Sequence, residues 1–363
     1  MFNIAFEEYC YLPFFIIILG FQWFFFLKNN FFAVRIKPAK TDKLIHSNVV
    51  KKLYYKHYIN WNFISLLFLV FLLTTVIGYQ QTFWWNHFKI TNFNLYLIYI
   101  LTLVSILVVF LIRYIPSNNL NYNVDYFFII SNLAIILFFI FFCNTLYTFF
   151  FILELTSSFI FYKFVVSKFW FKQNKFSFLN LYTKWNKIFP KFYLNMLFFQ
   201  YWVTFFSSVL LLYAIINFFL LFGTSEWLLL NYLINNNFNI NYFTNWFFFF
   251  ILLFTFLMGF LLKIGFSPLH LFKIEVYKGI PFISIFFYTT YYFLVFFLFF
   301  ILLVITYLYS FITYWWLLIF FFILSGGLYV ISLFFDVNYI KAFFAYSTVI
   351  NSFSLSCLVL SFL

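Results

Sequence analysis

Two charged side chains lie where an apolar chain tolerates them least. Glu154 falls inside the run 149–161 (FFFILELTSSFIF), and Lys263 ends the run 246–262, which contains no charge. A carboxylate at the centre of a membrane helix costs about 2.5–3.5 kcal/mol on insertion scales, so Glu154 requires compensation. Ser157, Ser158 and Tyr162 follow it at i+3, i+4 and i+8, and Tyr147 lies two turns earlier, which predicts a polar stripe on one helix face. Lys263 precedes Gly265 and Pro268, two helix breakers, and the apolar stretch resumes at Leu269, Leu271 and Phe272. Backbone freed by such a break is tolerated at membrane depth only inside protein or beside a wet cavity. Desolvation disfavours both charges and pairing favours both. A Glu and a Lys on neighbouring helices therefore titrate as a unit that a nearby charge can tip, which is the chemistry of a proton relay. The structural alternatives stay open: a neutral or helix-bonded Glu154, and a Lys263 that snorkels to the interface.

Further polar groups lie along the same region. Tyr288, Thr289, Thr290, Tyr291 and Tyr292 could carry a water chain, or they could bond neighbouring helices. His270 could shuttle protons near the basic end, or cap a loop. Lys341 is a second candidate for that end of a path.

The elements that must position these groups follow from composition. Of 363 residues, 66% are hydrophobic and 8% charged, and the mean hydropathy is +1.02, too apolar to cover a soluble surface. Apolar runs of membrane-spanning length recur without the alternation of barrel strands, so the expected fold is an all-α polytopic membrane bundle. Phe (71) and Tyr (29) are in excess, and Arg35 and Arg113 are the only arginines, a skew that follows AT-rich codons. The aromatics read as lipid-facing and packing bulk rather than a platform for bases. Cys10, Cys143 and Cys357 have no metal-ligand spacing, no Gly-rich phosphate loop occurs, and no haem or iron–sulfur site is visible. Glu7 and Glu8 stand where a cleavable signal would be basic.

Ten spans are expected, near 10–28, 61–78, 94–115, 125–143, 145–166, 193–222, 245–264, 282–308, 311–335 and 342–362. Alternation of loops then sorts the charge. Arg35, Arg113, Lys168, Lys187, Lys273, Lys278 and Lys341 fall on one side; Lys89, Glu7, Glu8 and Glu226 fall on the other. The net charge of +13 is thus a topology signal with the basic side inward, not a nucleic-acid signal. The basic loop 29–60 suits anionic lipid such as cardiolipin. The Asn-rich stretch 231–241 reads as a polar loop, and 273–278 as a small charged one.

The segment 263–281, KIGFSPLHLFKIEVYKGIP, resembles the Lys-x-Gly-x-x-Pro-x-His-x-Trp…Asp/Glu-Val-Tyr-x-Gly-x-Pro segment of the NADH dehydrogenase subunit 2 family, the antiporter-like subunits of respiratory complex I, with Phe272 in place of Trp. LELTSS around Glu154 is similar to that family's Leu-Glu-Leu-x-Ser motif, and 338–349 (NYIKAFFAYSTV) to its Lys-Arg-x-x-Ala-Tyr-Ser-Ser-Ile segment. The resemblance implies three N-terminal helices (1–124), a first five-helix antiporter-like repeat with a broken seventh helix (125–308), and the start of an inverted second repeat (309–363). It implies that Glu154 and Lys263 couple beside a proton half-channel. It implies a mitochondrial inner-membrane subunit whose basic loops face the matrix and whose partners are other membrane-arm subunits. FMN, iron–sulfur clusters and ubiquinone would lie elsewhere in the complex. Two departures stand out. The family's eighth-helix Lys falls at Phe293, and no Lys is near; and the helices beyond the tenth are missing, which implies a second chain that supplies them. A structural subunit that no longer pumps and a stand-alone cation/proton antiporter are the alternative functions.

Overall fold

The computed structural model describes residues 81–83, 86–114, 124–172, 182–237, 243–280, 282–307, 309–335, 337 and 339–361. The expected spans 10–28 and 61–78, the basic loop 29–60 and Lys175 lie outside these residues. A short hairpin pairs β1 (Gln81–Phe83) with β2 (Phe88–Ile90). Helices follow: α1 (Asn92–Tyr114), α2 (Val124–Phe139) with a 3-10 turn Ile140–Phe142, α3 (Leu146–Lys172), α4 (Tyr182–Phe222), α5 (Trp227–Asn237), α6 (Phe243–Ile264) and α7 (Leu271–Gly279). The next helix, α8, runs Phe282–Phe287, passes through a π segment Tyr288–Tyr292, continues as Phe293–Leu302 and ends in a second π segment, Leu303–Tyr307. α9 (Tyr309–Phe334) and α10 (Ile340–Ser361) complete the chain's described elements.

The chain is an all-α polytopic membrane protein. Among the described residues, Leu146–Val165, Tyr193–Phe222, Ser284–Ile305 and Ile340–Ser361 are long and apolar enough to cross a bilayer, and four shorter apolar helices accompany them. A helix stands at each expected span from 94 onward.

Two expected loops are helices instead. Trp227, Leu230 and Ile234 are buried at i, i+3 and i+7, so an apolar stripe carries residues 231–237 of the Asn-rich stretch into α5. Residues 273–278 lie in α7, where Lys273, Ile274, Val276 and Tyr277 are buried between α4 and α10. Lys273 is therefore not a solvated loop charge.

Loops expected on the non-basic side meet at one end of the bundle. The Asn144 N–H donates to the His87 carbonyl, the Trp227 N–H to the Asn144 carbonyl, and the Leu146 N–H to the Ser225 carbonyl. The Asn86 amide donates to the Glu226 carboxylate. Behind this end lies an aromatic core: the Phe149 ring stacks on Phe299 at 4.9 Å and meets Trp227 edge-on at 5.7 Å. Such ring pairs contribute about 0.5–1.5 kcal/mol each beyond their buried area. They lock α3, α5 and α8 together, which fixes the face of α3 that carries Glu154.

Candidate functional site

Glu154 on α3 and Lys263 in the last turn of α6 form an ion pair. The two partners differ in burial: the Lys263 side chain is 3% exposed and that of Glu154 36%. Ser157 Oγ donates to the Glu154 backbone carbonyl at 2.8 Å and lies 3.3 Å from Glu154 Oε2, and the Phe150 ring centre lies 6.0 Å from the Lys263 ammonium. The rest of the expected stripe turns away. Ser158 bonds the Leu155 carbonyl, and Tyr147 and Tyr162 are exposed.

The break beside Lys263 is a C-terminal cap. Gly265 adopts φ +76°, the left-handed conformation that glycine takes without penalty, and the N–H groups of Gly265 and Phe266 both donate to the Leu261 carbonyl. That places the Lys263 ammonium at the negative end of the α6 dipole. The turn is held from outside by α9. A Cβ on Gly326 would overlap Pro268, and one on Gly327 would overlap the Phe353 ring, so two glycines form the seat into which the break and α10 fit. Sequence reasoning did not single out Gly326 or Gly327.

His270 begins α7 and is fully buried. Its Nδ1 lies 3.0 Å from the Pro268 carbonyl, which can only accept, so Nδ1 carries the proton and Nε2 is the free base. Nε2 is buried with no hydrogen-bond partner among the described residues, and the imidazole centre lies 6.4 Å from the rings of Tyr329 and Tyr346. Burial is the main influence holding its imidazole below the usual histidine range; the Pro268 carbonyl opposes it and the Lys273 charge adds to it. Lys341 donates to the Ile280 carbonyl at 2.7 Å. It ties the end of α7 to α10.

The hydroxyls of α8 divide. Thr289 and Thr290 both donate back to the Phe286 carbonyl, at 3.1 and 2.8 Å, and satisfy an acceptor at the π segment. Tyr291 donates to the Ala134 carbonyl at 3.1 Å and joins α8 to α2. Tyr288 and Tyr292 are buried with their rings 5.1 Å apart.

Two buried lysines stand beside this segment. Lys163, on α3, is fully buried, its ammonium 4.3 Å from the Phe287 ring centre and 4.9 Å from that of Tyr288. Lys273 has its ammonium 6.0 Å from the rings of Tyr277 and Phe293. The expectation that no Lys is near Phe293 is therefore corrected: α7 brings one from twenty residues earlier in the chain. Lys163 was legible as a charge within an apolar run. It follows Glu154 by nine residues, and at about 100° per residue that is the opposite face of α3, so it lies off the stripe around Glu154.

Among the described residues, no three His, Cys, Asp or Glu side chains come together as a metal group would require. No family model matches the sequence. Over 77 residues the chain is 36% identical to the "Uncharacterized mitochondrial protein ORF4" of Paramecium tetraurelia, a match covering 21% of this chain and 49% of that protein. Its fold is similar to that of a chain in the solved structure "Respiratory complex I from Thermus thermophilus with bound Aureothin", with a TM-score of 0.53 and 13% sequence identity, over 84% of this chain and 60% of that one. The chain thus spans about half the length of its curated relative, and it shares the fold of a chain found in a respiratory complex I structure.

Proposed function

We propose that this chain is a membrane-arm subunit of a mitochondrial complex I, of the subunit 2 type, and takes part in proton translocation through Glu154 and Lys263. The ion pair between those two residues carries the reading, because it joins α3 to α6 beside the break at Gly265. The similar fold and the mitochondrial relative support the setting. In the paired state each charge compensates the other. When the α6 break shifts or a charge approaches, the pair separates. The ammonium then stands in an apolar interior and gives up its proton: one N–H bond breaks, a neighbouring base gains the proton, and the positive charge moves with it. Pair reformation after reprotonation resets the site. His270 and Lys341 mark the end of the path toward the basic side. Quinone reduction, with its FMN and iron–sulfur clusters, belongs to other subunits of the assembly. The basic loops face the matrix and anionic lipid in this reading.

The test is isolation of the native assembly from the inner membrane, with mass spectrometry of its chains. Co-migration with NADH:quinone reductase activity is the expected result. A small assembly without that activity overturns the reading and favours a stand-alone antiporter. Co-migration with uptake unaffected by Glu154→Gln would leave a structural subunit.

A further inference from the structure

The outward faces of the membrane helices are not alike. On α1 the exposed stripe is Phe93, Tyr96, Ile100, Leu103 and Leu107, and on α4 it is Leu194, Phe198, Phe205, Val209, Ile216 and Leu220. Both are apolar, as a surface bathed in acyl chains should be. On α10, which is long and apolar enough to cross a bilayer, the outward stripe is Ile340, Phe344, Ser347, Asn351, Ser354 and Leu358. Its ends are apolar and its centre is polar, with Asn351 at the midpoint of Ile340–Ser361. Asn351 and Ser354 are exposed and Ser347 is half-buried. Polar groups on an outer face can be satisfied by their own helix. The Ser354 hydroxyl donates to the Asn351 carbonyl at 3.0 Å, and on α4 the exposed Asn217 amide donates to the Tyr213 carbonyl at 2.8 Å. The Asn351 amide makes no such bond and has no hydrogen-bond partner among the described residues. The inner face of α10 cannot take it in, because α10 packs there on α7 and α9 with Ala345, Val349, Ser352 and Ser356 buried.

We propose that the Ser347–Asn351–Ser354 face of α10 is the seat of a membrane-crossing helix from another subunit of the membrane arm, one that presents an uncharged carboxamide or hydroxyl at the depth of Asn351. Lipid does not suit this face. Acyl chains neither donate nor accept, so a carboxamide exposed at mid-bilayer would keep two N–H donors and a carbonyl acceptor unpaired. A facing helix satisfies them, and serines one turn before and after Asn351 let the two backbones approach closely. Phe344 and Leu358 flank the polar centre with apolar contact, and a single polar position within an apolar helix seam fixes the register of its partner. The partner is uncharged because the stripe holds no ionisable residue; Lys341, the one lysine of α10, donates to the Ile280 carbonyl instead. The inference rests on the membrane-arm reading above, which supplies the neighbouring subunits.

The test labels the native assembly in place. Diazirine-leucine incorporated during growth puts a photoreactive group at Leu358, which is exposed on the stripe, and mass spectrometry after illumination identifies what it reached. A cross-link from Leu358 to an apolar segment of a different chain is expected. Lipid adducts alone, or cross-links to this chain's own sequence as a second copy would give, overturn the proposal. Asn351→Leu removes the amide and leaves the inner face of α10 untouched. It should weaken the hold of the complex on this chain about three- to thirty-fold, read as the fraction retained on native gels across a detergent titration. Retention equal to that of the unaltered chain overturns the hydrogen-bonded seat. Absence of the chain from the NADH:quinone reductase assembly defeats the membrane-arm reading and the seat with it, whereas lipid adducts at Leu358 within an intact assembly reject the seat alone.

Discussion

Removing the carboxylate of Glu154 and removing the ammonium of Lys263 should have unequal effects, and the inequality follows from burial. Lys263 is 3% exposed at its side chain, so Glu154→Gln leaves an ammonium in the interior without its counter-ion. Breaking a buried pair from one side costs about 3–5 kcal/mol. In Lys263→Met the remaining carboxylate is 36% exposed, with the Ser157 hydroxyl 3.3 Å from Oε2. The cost there is about 1–3 kcal/mol, that of a polar group deprived of one partner. The double variant leaves no charge unpaired, and Met fills much of the Lys volume, so its cost should fall below about 1 kcal/mol. The coupling between the sites is then about 3 kcal/mol or more, roughly a hundred-fold in the unfolding constant. Reversible unfolding of the full chain in mixed micelles measures all four corners of the cycle. Additivity within about 0.5 kcal/mol would refute the pair as a stabilising contact, and a larger loss for Lys263→Met than for Glu154→Gln would refute the assignment of the buried partner.

Two further outcomes are expected. Gly326→Ala places a Cβ into Pro268 and should destabilise the chain by about 3 kcal/mol, the upper range of overpacking, whereas Gly223→Ala meets open space and should lose only the roughly 1–2 kcal/mol of its positive φ, +68°; thermal unfolding of the two variants compares them, and equal losses would contradict the close seat of the break. Lys341→Met removes a charge-assisted hydrogen bond to the Ile280 carbonyl and should cost about 1.5–3 kcal/mol, with faster amide exchange in α7 than in α6; unchanged exchange would mean that the α7 end is held by packing alone.

Much of the helical framework could be read from the chain because its apolar runs are continuous and its breaks are sharp. Lys263, Gly265 and Pro268 announced the broken turn, and Glu154 announced a helix that needed a partner. What could not be read has physical causes. The helix at Trp227–Asn237 is hidden by its composition, with four Asn among eleven residues, although Trp227, Leu230 and Ile234 hold the stripe that folds it. Lys273 looked like loop charge because neighbouring Glu275 and Lys278 are polar, and they do pair with each other, at 2.5 Å. The Gly326–Gly327 seat depends on a contact between α9 and a turn some sixty residues away, and glycine inside a membrane helix is common enough to carry no signal alone. The absence of a Lys near Phe293 was a statement about sequence neighbours, and the fold replaced them with Lys273.

The aromatic excess takes on a different meaning once the lysines are placed. A codon bias toward Phe accounts for the composition without any function. Yet each of the three buried lysines on α3, α6 and α7 has an aromatic ring within 6.0 Å of its ammonium: Phe287 and Tyr288 for Lys163, Phe150 for Lys263, and Tyr277 and Phe293 for Lys273. A core built from Leu would offer those groups bulk but no negative π face, and an isolated charge in it would cost several kcal/mol. Phe supplies the same apolar volume together with a weak, non-titrating attraction for a cation. A chain drifting toward Phe can therefore keep buried amines at positions where a Leu-rich chain would need a carboxylate partner for each. Lys263, beside the break at Gly265, has both a carboxylate and a ring as neighbours.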